Sequence, residues 1–494
     1  MADHIFTSAP VLQVAFRSLL GIVLVWIAQF LHHAFSNRLQ FQRMKALGLP
    51  VPEPHSLLLG HLPLMKSLRR GLPKDAPDTY AQLKLTCPPI IYLDMWPFVS
   101  YPLILATTET PMFGWAISPV TGGRDLIAMD IPTHRVWRSR LNPCFSLRNL
   151  TSLVPILTEE VDIFVQKMRE EAGNDKTFGV LFPLYNKTVD LSFDIIMRAA
   201  LDLRLNTYVK GENIRTKLQR MMPTYRRDVA VNTSIIDNIL RPHIHSRTDL
   251  AMQSTEEGVS EPSPELVDIV ISQLKLFVLA GHHTTAQAVC WVLYEVYSRP
   301  EVLDHLSAEM RQGLGLDAKS LLTEKPHKLN ELQYTAAVIK ETLRFHPIAS
   351  THRQGSNEFT ISIEGTTYPA LNALMSTSAA AVHLRSDLWT RVTEFLPERF
   401  IVAEDGPLHP PKHAWRAFEL GTTKCIGEEL AMIEMKLILA FTINGLHLEF
   451  DWAGWKKMQN NSAPPESVDG KFMYRTGTGI GFVKGNLPTR VRAR

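Results

Sequence analysis

The sequence predicts a mainly α-helical protein with small β-sheets, arranged as a single large domain behind an N-terminal membrane anchor. Three observations support this fold class. Helical periodicity recurs through most of the chain, short β-type segments lie between the helices, and one long apolar stretch stands near the N-terminus. The chain has 494 residues, 45% of them hydrophobic and 20% charged, so it is long enough to bury a sizeable core.

Charge and cysteine content narrow the class of protein. The formal net charge is +3 and no long basic run occurs, so the sequence gives no support for nucleic-acid binding. The four cysteines are scattered and form no CxxC pair, which favours a reducing compartment. These cysteines are Cys87, Cys144, Cys290 and Cys425.

The apolar stretch at residues 11–35 is predicted to be a transmembrane anchor. A membrane span needs roughly 20 mostly apolar residues, and this stretch has that length. Basic residues follow it, beginning at Arg38, which places the following chain in the cytosol. The alternative is a cleaved signal peptide, but the positive charge then lies on the wrong side. Residues 36–56 read as a basic and proline-rich hinge, and residues 57–494 as the large domain.

The large domain alternates helical and β-type patterns. Residues 204–252 are predicted to be helical with weak patterning, and the tail after the last helix is rich in strands. The predicted strands are 90–95, 101–106, 359–363 and 366–369. The predicted helices are 134–141, 151–169, 185–201, 265–298, 331–345 and a long helix after Gly427.

The predicted helix at 265–298 is the longest, on the order of 50 Å. It is apolar nearly all round, as a central buried helix should be, but its middle carries the polar residues His283 and Thr284 behind Gly281. Polar groups in a buried helix indicate a local widening where a ligand binds. The alternative is that Thr284 hydrogen-bonds back to its own helix.

Cys425 lies where a loop containing Gly421 becomes a helix after Gly427. The free N–H groups and the dipole of a helix start stabilise an anion, including a thiolate. A thiolate held in this way is a strong axial ligand for a haem iron. The alternative is a small buried hydrophobic cysteine with no ligand.

Four motifs together resemble the cytochrome P-450 family of haem-thiolate monooxygenases, in the family's order. The loop at residues 418–427 is similar to the haem-binding loop, and residues 341–344 match the ExxR pair. Residues 395–400 contain Arg399, which matches the arginine that joins the ExxR pair as its third residue. Residues 280–284 resemble the oxygen-binding groove. The anchor and proline-rich hinge are similar to the microsomal eukaryotic class, and the surroundings of Cys425 to fungal members of secondary metabolism.

The resemblance implies haem b (iron protoporphyrin IX) as the cofactor, with Cys425 as its thiolate ligand. It also implies that Thr284 guides protons, with His283 where the family usually has an acid. Further haem-binding residues are implied at His134, Arg138, Arg353, Phe418, Gly421 and Lys424. The implied structural network consists of Glu341, Arg344 and Arg399. Thr423 stands where the family usually has arginine or histidine, and Lys424 is the implied replacement.

The implied activity is the oxidation of a lipophilic small molecule in the endoplasmic reticulum membrane, by a single-pass protein whose catalytic domain at 57–494 is cytosolic. The implied electron donor is NADPH–cytochrome P-450 reductase, with cytochrome b5 as a further partner. Two alternatives stay open: haem-dependent rearrangement or dehydration without dioxygen, and a degenerate haem-binding scaffold. A positive docking face is predicted from Lys412, Arg416, Lys424 and Lys436, against the alternative of a solvated basic surface.

Overall fold

The computed structural model divides the chain into two compact units. The sheet unit comprises Met1–Gly71, Asp78–Pro111 and Thr351–Ser378, and the helical unit comprises Leu72–Pro77, Met112–Ser350 and Ala379–Arg494. The structure describes residues 8–85, 90–97, 103–106, 121–174, 177–205, 240–242, 244, 246, 263–349, 351–363, 365–477 and 481–494. Most of the predicted helix at 204–252 therefore lies outside the described residues.

The predicted fold class, mainly α-helical with small sheets, is confirmed. The helices are α1 (Ser8–Ala46), α2 (Leu62–Leu68), α3 (Asp78–Gln82), α4 (Ile131–Leu141), α5 (Leu147–Glu170), α6 (Leu184–Leu201), α7 (Pro264–Tyr297), α8 (Pro300–Leu314), α9 (Ala318–Glu324), α10 (Gln333–Phe345), α11 (Ala379–His383), α12 (Glu428–Thr442) and α13 (Trp452–Met458). The strands are β1 (Ile90–Leu93), β2 (Leu103–Ala106), β3 (Phe182–Pro183), β4 (Thr351–Gln354), β5 (Thr360–Ile363), β6 (Thr366–Pro369), β7 (Leu374–Thr377), β8 (Leu446–Phe450), β9 (Arg475–Thr476), β10 (Phe482–Val483) and β11 (Pro488–Ala493).

A four-stranded sheet in the order β1-β2-β7-β4 forms the centre of the sheet unit. Strands β2 and β7 are parallel, whereas β1 pairs with β2 and β4 with β7 in antiparallel fashion. The predicted hairpin of β5 and β6 is present in antiparallel register, with Ile363 opposite Thr366. Phe41 and Met44 of α1 are buried in one cluster with the sheet residues Ile90 and Ile104.

Helix α1 is long and apolar enough over Phe16–Ala46 to cross a membrane. It continues beyond residue 35, where the anchor was predicted to end, and the irregular chain begins only after Ala46. The apolar side chains of its first part are exposed, whereas Arg38 is buried. The Arg38 guanidinium contacts both carboxylate oxygens of Asp94 at 2.5 Å, and Asp94 is buried as well.

The helical unit is built around α7. The Ser263 hydroxyl accepts the N–H of Leu266 and Pro264 occupies the first turn, which are strong signals for a helix start. Helix α7 packs against α6, α10 and α12, and residues of α5, α6, α7, α10 and α12 share one large hydrophobic core. A second sheet in the order β3-β11-β8 lies in the same unit. The candidate site lies at the middle of α7 and the start of α12, where the chain is only partly buried.

The Arg38–Asp94 pair provides a stability test. Replacing Asp94 by Ala would leave the Arg38 charge buried without its partner, at an expected cost of about 3–5 kcal/mol. The matched control is Glu53→Ala, which breaks the exposed ion pair between Glu53 and Lys45. Urea denaturation of the full-length protein should show a large loss for the first variant and almost none for the second. Equal losses would contradict a structural role for the buried pair.

Candidate functional site

The loop before α12 holds Cys425 at a defined position. The Cys425 N–H donates to the carbonyl oxygen of Phe418 at 2.9 Å, which closes the loop, and Lys424 N–H donates to the Gly421 carbonyl at 3.2 Å. Gly421 has φ +74°, in the left-handed region that favours glycine. Gly427 caps α12, and a Cβ added there would lie 3.9 Å from the Cys425 sulfur. A side chain at position 427 would therefore be in van der Waals contact with the sulfur, and glycine leaves that position empty.

Cys425 is exposed, and protein groups lie close enough to its sulfur to change its pKa. Burial raises the pKa of the Cys425 thiol, and the charge of Glu428 adds to this effect. The Gly427 N–H, the Arg138 guanidinium and the Lys424 ammonium act in the opposite direction. The Gly427 N–H at the helix start thus acts in the expected direction, but burial has the larger effect and the pKa of the thiol lies above its ordinary value. A metal ion at the sulfur would complete the deprotonation.

Helix α4 contributes two of the predicted haem-binding residues. Asp130 caps this helix by accepting the Thr133 N–H. Arg138 donates from one terminal nitrogen to the Lys424 carbonyl at 2.7 Å and from Nε to Asn142 at 2.8 Å. His134 is buried one turn earlier, and burial together with the Arg138 charge lowers its pKa. The structure therefore brings Arg138 to the cysteine loop with His134 beside it on α4.

Lys424 and Arg353 are placed differently from the other predicted haem contacts. The Lys424 ammonium lies 2.5 Å from a Glu428 carboxylate oxygen, one helical turn ahead, so this charge already has a partner. Arg353 lies on β4 in the sheet unit, and its side chain is outside what the structure describes. The haem contacts of both residues stay predictions.

Glu341, Arg344 and Arg399 form the predicted network and are fully buried. Arg344 binds the Glu341 carboxylate through two parallel hydrogen bonds of 2.8 and 2.9 Å, and Arg399 Nε donates to the same carboxylate at 3.2 Å. The Leu396 N–H adds a fourth bond at 2.9 Å. Two guanidinium groups thus share one carboxylate, and their remaining N–H groups need other acceptors.

Backbone carbonyls supply those acceptors. Arg344 donates to the His383 carbonyl at 2.9 Å and to the Glu394 carbonyl at 3.2 Å. Arg399 donates to the carbonyls of Thr390 and Arg391, the latter at 2.6 Å. Each buried N–H group with a partner avoids a desolvation cost of about 1–3 kcal/mol. The network therefore fixes the irregular segment at residues 390–400 against α10.

His383 and Trp415 were missed by sequence reasoning. His383 donates from Nδ1 to the Arg344 carbonyl at 3.0 Å and accepts the Arg416 N–H on Nε2 at 2.8 Å. Trp415 Nε1–H donates to the Lys340 carbonyl at 3.0 Å. Both residues join α10 to the chain leading into the cysteine loop. A single histidine or tryptophan between irregular segments gives no periodic signal that would have revealed this role.

The middle of α7 carries the predicted catalytic residues. The Thr284 hydroxyl donates to the Ala280 carbonyl at 2.6 Å, as in the alternative considered from the sequence. Its oxygen lone pairs can still accept hydrogen bonds. His283 Nδ1 lies 3.0 Å from the hydroxyl oxygen of Tyr185 on α6. The structure thus turns the His283 ring toward α6, and its proposed role in proton transfer stays a prediction.

The predicted docking face is wrong for two of its four residues. Arg416 and Lys436 are buried, and Arg416 pairs with Glu419 at 2.8 Å. Helix α12 packs into the core, so the Lys436 stem is enclosed and burial lowers the pKa of its ammonium. Lys412 is exposed as predicted, and Lys424 is partly exposed but paired.

Comparisons with known proteins agree with these features. A sequence profile described as cytochrome P450 matches residues 108–257 and 245–465. The chain belongs to the cytochrome P450 family. It is 30% identical to the cytochrome P450 monooxygenase polC of Polytolypa hystricis, over 94% of this chain and 93% of that protein. It is 26% identical to the cytochrome P450 monooxygenase ptmG of Penicillium ochrochloron, over 99% of this chain and 97% of that protein.

A solved structure supports the fold of this cytochrome P450. The heme domain of cytochrome P450DA superposes with a TM-score of 0.71 at 20% sequence identity, covering 90% of this chain and 96% of that chain. The predicted family and enzyme class, a cytochrome P450 monooxygenase with relatives in fungi, are therefore confirmed.

The residues of the cysteine loop fit the haem that the family and fold imply. The Cys425 sulfur is accessible, accepts a hydrogen bond from Gly427, and has Arg138 and Lys424 as nearby positive charges. Hydrogen bonds and charges of this kind tune a metal-bound thiolate. Cys425 would hold the iron, while the haem contacts of Arg138 and His134 on α4 stay predictions.

His383 gives a pH-dependent prediction. Burial lowers its pKa to about 3, well below the value of about 6.5 in an unfolded chain. Between these two pKa values His383 is protonated in the unfolded chain and neutral in the folded chain. The free energy of unfolding therefore falls as the pH decreases, by up to about 1.4 kcal/mol per pH unit. His383→Gln should reduce the slope of the unfolding free energy against pH by up to about 1.4 kcal/mol per pH unit, which corresponds to one proton.

The measurement is urea denaturation at several values between pH 6.5 and pH 4. The control is His327→Gln, because His327 is exposed on a short helical turn. Slopes that are the same in wild type and in His383→Gln would show that His383 is not held neutral by burial.

Proposed function

We propose that this cytochrome P450 is a membrane-anchored monooxygenase that oxidises a lipophilic small molecule in fungal secondary metabolism. It uses dioxygen and electrons from NADPH, delivered by NADPH–cytochrome P-450 reductase, with cytochrome b5 as a further donor. The observation that carries the proposal is the accessible Cys425 sulfur, held at the start of α12 by a closed loop and accepting the Gly427 N–H.

The residues of the site have separate roles in the proposed reaction. Haem b, held by Cys425, supplies the oxidising chemistry. The Glu341 network fixes the backbone leading into the cysteine loop through His383 and Trp415. Thr284 offers its oxygen as a hydrogen-bond acceptor near the middle of α7, where it positions a proton donor. These contributions are positioning and proton control, which the protein adds to the cofactor's chemistry.

A lipophilic substrate agrees with the apolar side chains around this site. Leu126 and Leu276 are buried in one cluster, and Ile426, the neighbour of Cys425, packs against them. A polar substrate would lose hydration there without regaining hydrogen bonds. The relatives polC and ptmG are fungal cytochrome P450 monooxygenases, which supports the assignment to a fungal pathway.

The proposed location is the endoplasmic reticulum membrane, crossed once, with the catalytic part in the cytosol. The support is α1, whose apolar part is exposed and long enough for a span. Arg43 and Lys45 lie in its last turn, which favours a cytosolic position for that end.

Replacing Cys425 by Ala should abolish the haem-thiolate spectrum, because it removes the axial ligand. The measurement is the absorption of the reduced protein with carbon monoxide, in which the thiolate gives a red-shifted Soret band. The matched control is Cys144→Ala, since Cys144 is an exposed free cysteine outside the site. A retained red-shifted band in Cys425→Ala would refute the assigned ligand, and its absence in wild type would favour a degenerate scaffold.

Replacing Thr284 by Ala should keep that spectrum but lower the yield of product per NADPH by about tenfold, because proton control is lost. The matched control is Thr442→Ala on α12, where a buried threonine makes the same bond to its own helix, 2.7 Å from the Ile438 carbonyl. The assay measures NADPH, dioxygen and product together. An unchanged yield in Thr284→Ala would contradict its role, and product formation without NADPH or dioxygen would favour rearrangement or dehydration.

A further inference from the structure

A glutamine on α7 holds a short irregular segment of the chain, residues 121–129. The Gln273 side chain is only 1% exposed, and both ends of its amide are used. Its Oε1 accepts the Leu126 N–H at 3.1 Å, and its Nε2 donates to the Arg124 carbonyl at 2.8 Å. The two partners fix the orientation of the amide, because a backbone N–H can only donate and a carbonyl can only accept. Gln273 therefore binds the segment through one donor and one acceptor, as a neighbouring strand would.

The segment is also tied within itself. Asp125 is buried, and one of its carboxylate oxygens accepts the N–H groups of Ile127 at 2.8 Å and Ala128 at 3.1 Å. The Thr121 hydroxyl donates to the other carboxylate oxygen. Ser272, next to the glutamine on α7, donates to the Thr121 carbonyl and is buried as well. The segment is therefore a compact unit that is fixed to α7 at two points.

The face of α7 that carries Gln273 continues to the candidate site. Leu276, Ala280 and Thr284 follow at spacings of three or four residues, so they share one side of the helix with the glutamine. Leu126 of the segment is buried in one cluster with Leu276, and Ala280 packs against that cluster. The segment therefore packs on the side of α7 that also carries Thr284.

The same apolar cluster reaches the cysteine loop. Ile426, the neighbour of Cys425, packs against it, and so does Ile127 of the segment. Ile127, Ala280 and Ile426 are each only partly buried, so each keeps apolar surface that a bound molecule can cover. The segment thus joins α7 and the cysteine loop in a single apolar surface around the candidate site.

We infer that Gln273 is a positioning residue that fixes residues 121–129 as a rigid wall of the substrate cavity and so limits the size of the molecule that the enzyme accepts. The inference rests on the proposed function, because it assigns the space beside Cys425 and Thr284 to the substrate. Gln273 acts through the segment and does not touch the substrate. A molecule that displaces the segment must break two hydrogen bonds that a smaller molecule leaves intact.

Hydrogen–deuterium exchange of the full-length protein tests the two hydrogen bonds. Gln273→Met keeps a side chain of similar length and removes both bonds, so the Leu126 N–H should exchange at least about fivefold faster. The matched control is Gln287→Met, the same change at a buried glutamine of α7 whose amide donates to the Gly481 carbonyl. Unchanged exchange over residues 124–129 in Gln273→Met, or an equal increase in the control, would overturn the inference.

The size limit is tested with two probes that bind a haem iron through an imidazole nitrogen, free imidazole and the bulky N-tritylimidazole. Both shift the Soret band, so their affinities are read by titration without substrate. In Gln273→Met the affinity for the bulky probe relative to imidazole should rise at least about fivefold, because the two bonds no longer oppose displacement of the segment. An unchanged ratio would overturn the inference, even if both affinities fall, because a purely structural role lowers both alike.

Ser272→Ala is a second variant, which removes the other tie between α7 and the segment by deleting a single oxygen atom. The affinity ratio should change in the same direction, by about two- to threefold. An unchanged ratio in this variant would overturn the inference whether or not Gln273→Met folds. Wild type without NADPH-dependent and dioxygen-dependent turnover would refute the proposed function alone, because exchange at Leu126 and the probe affinities are measured without turnover.

Discussion

One carboxylate, that of Glu341, holds two buried guanidinium groups. Arg344 and Arg399 bring more positive charge than Glu341 can neutralise, so the fold supplies backbone carbonyls from residues 383–394 as further acceptors. Burying this charge costs free energy unless every donor is paired, which makes the irregular segment part of the network. His383 and Trp415 in turn join α10 to the chain that leads into the cysteine loop. Charge compensation around Glu341 therefore supports the position of Cys425 together with the loop's own hydrogen bonds.

The helices were predictable because they follow short-range rules, whereas the motif residues were found through their resemblance to the cytochrome P-450 family. The start of α7 at Pro264 follows from a serine cap and a proline, and its length follows from its apolar pattern. The spacing of Glu341 and Arg344 places them on one helical face. The carbonyl acceptors of Arg399, the His383 bridge and the burial of Arg416 were not predictable in this way. They depend on contacts between segments that lie far apart in the sequence, and the periodicity of a sequence does not predict such contacts.

The middle of α7 shows how one helix serves both packing and chemistry. The Thr284 hydroxyl satisfies its proton within the helix, and the two histidines turn toward α6. Sequence reasoning found these polar residues because they interrupt a buried apolar helix. It could not find Tyr185, since a tyrosine in the first turn of α6 looks like any other core aromatic. The contact between Tyr185 and His283 depends on how α6 packs against α7, and the motif alone does not contain that information.

The buried end of α1 has a consequence for how far the sheet unit can stand from a bilayer. Arg38, Phe41 and Met44 belong to the folded sheet unit, so the helix does not end in a flexible tether. Between Leu31, near the end of the apolar stretch, and Arg38 there are only two helical turns, a rise of about 10 Å. With the apolar stretch in a bilayer, the part of the sheet unit around Arg38 is kept about 10 Å from the hydrocarbon, next to the headgroup layer. A substrate dissolved in the lipid would then meet the protein at that depth, without first crossing the aqueous phase.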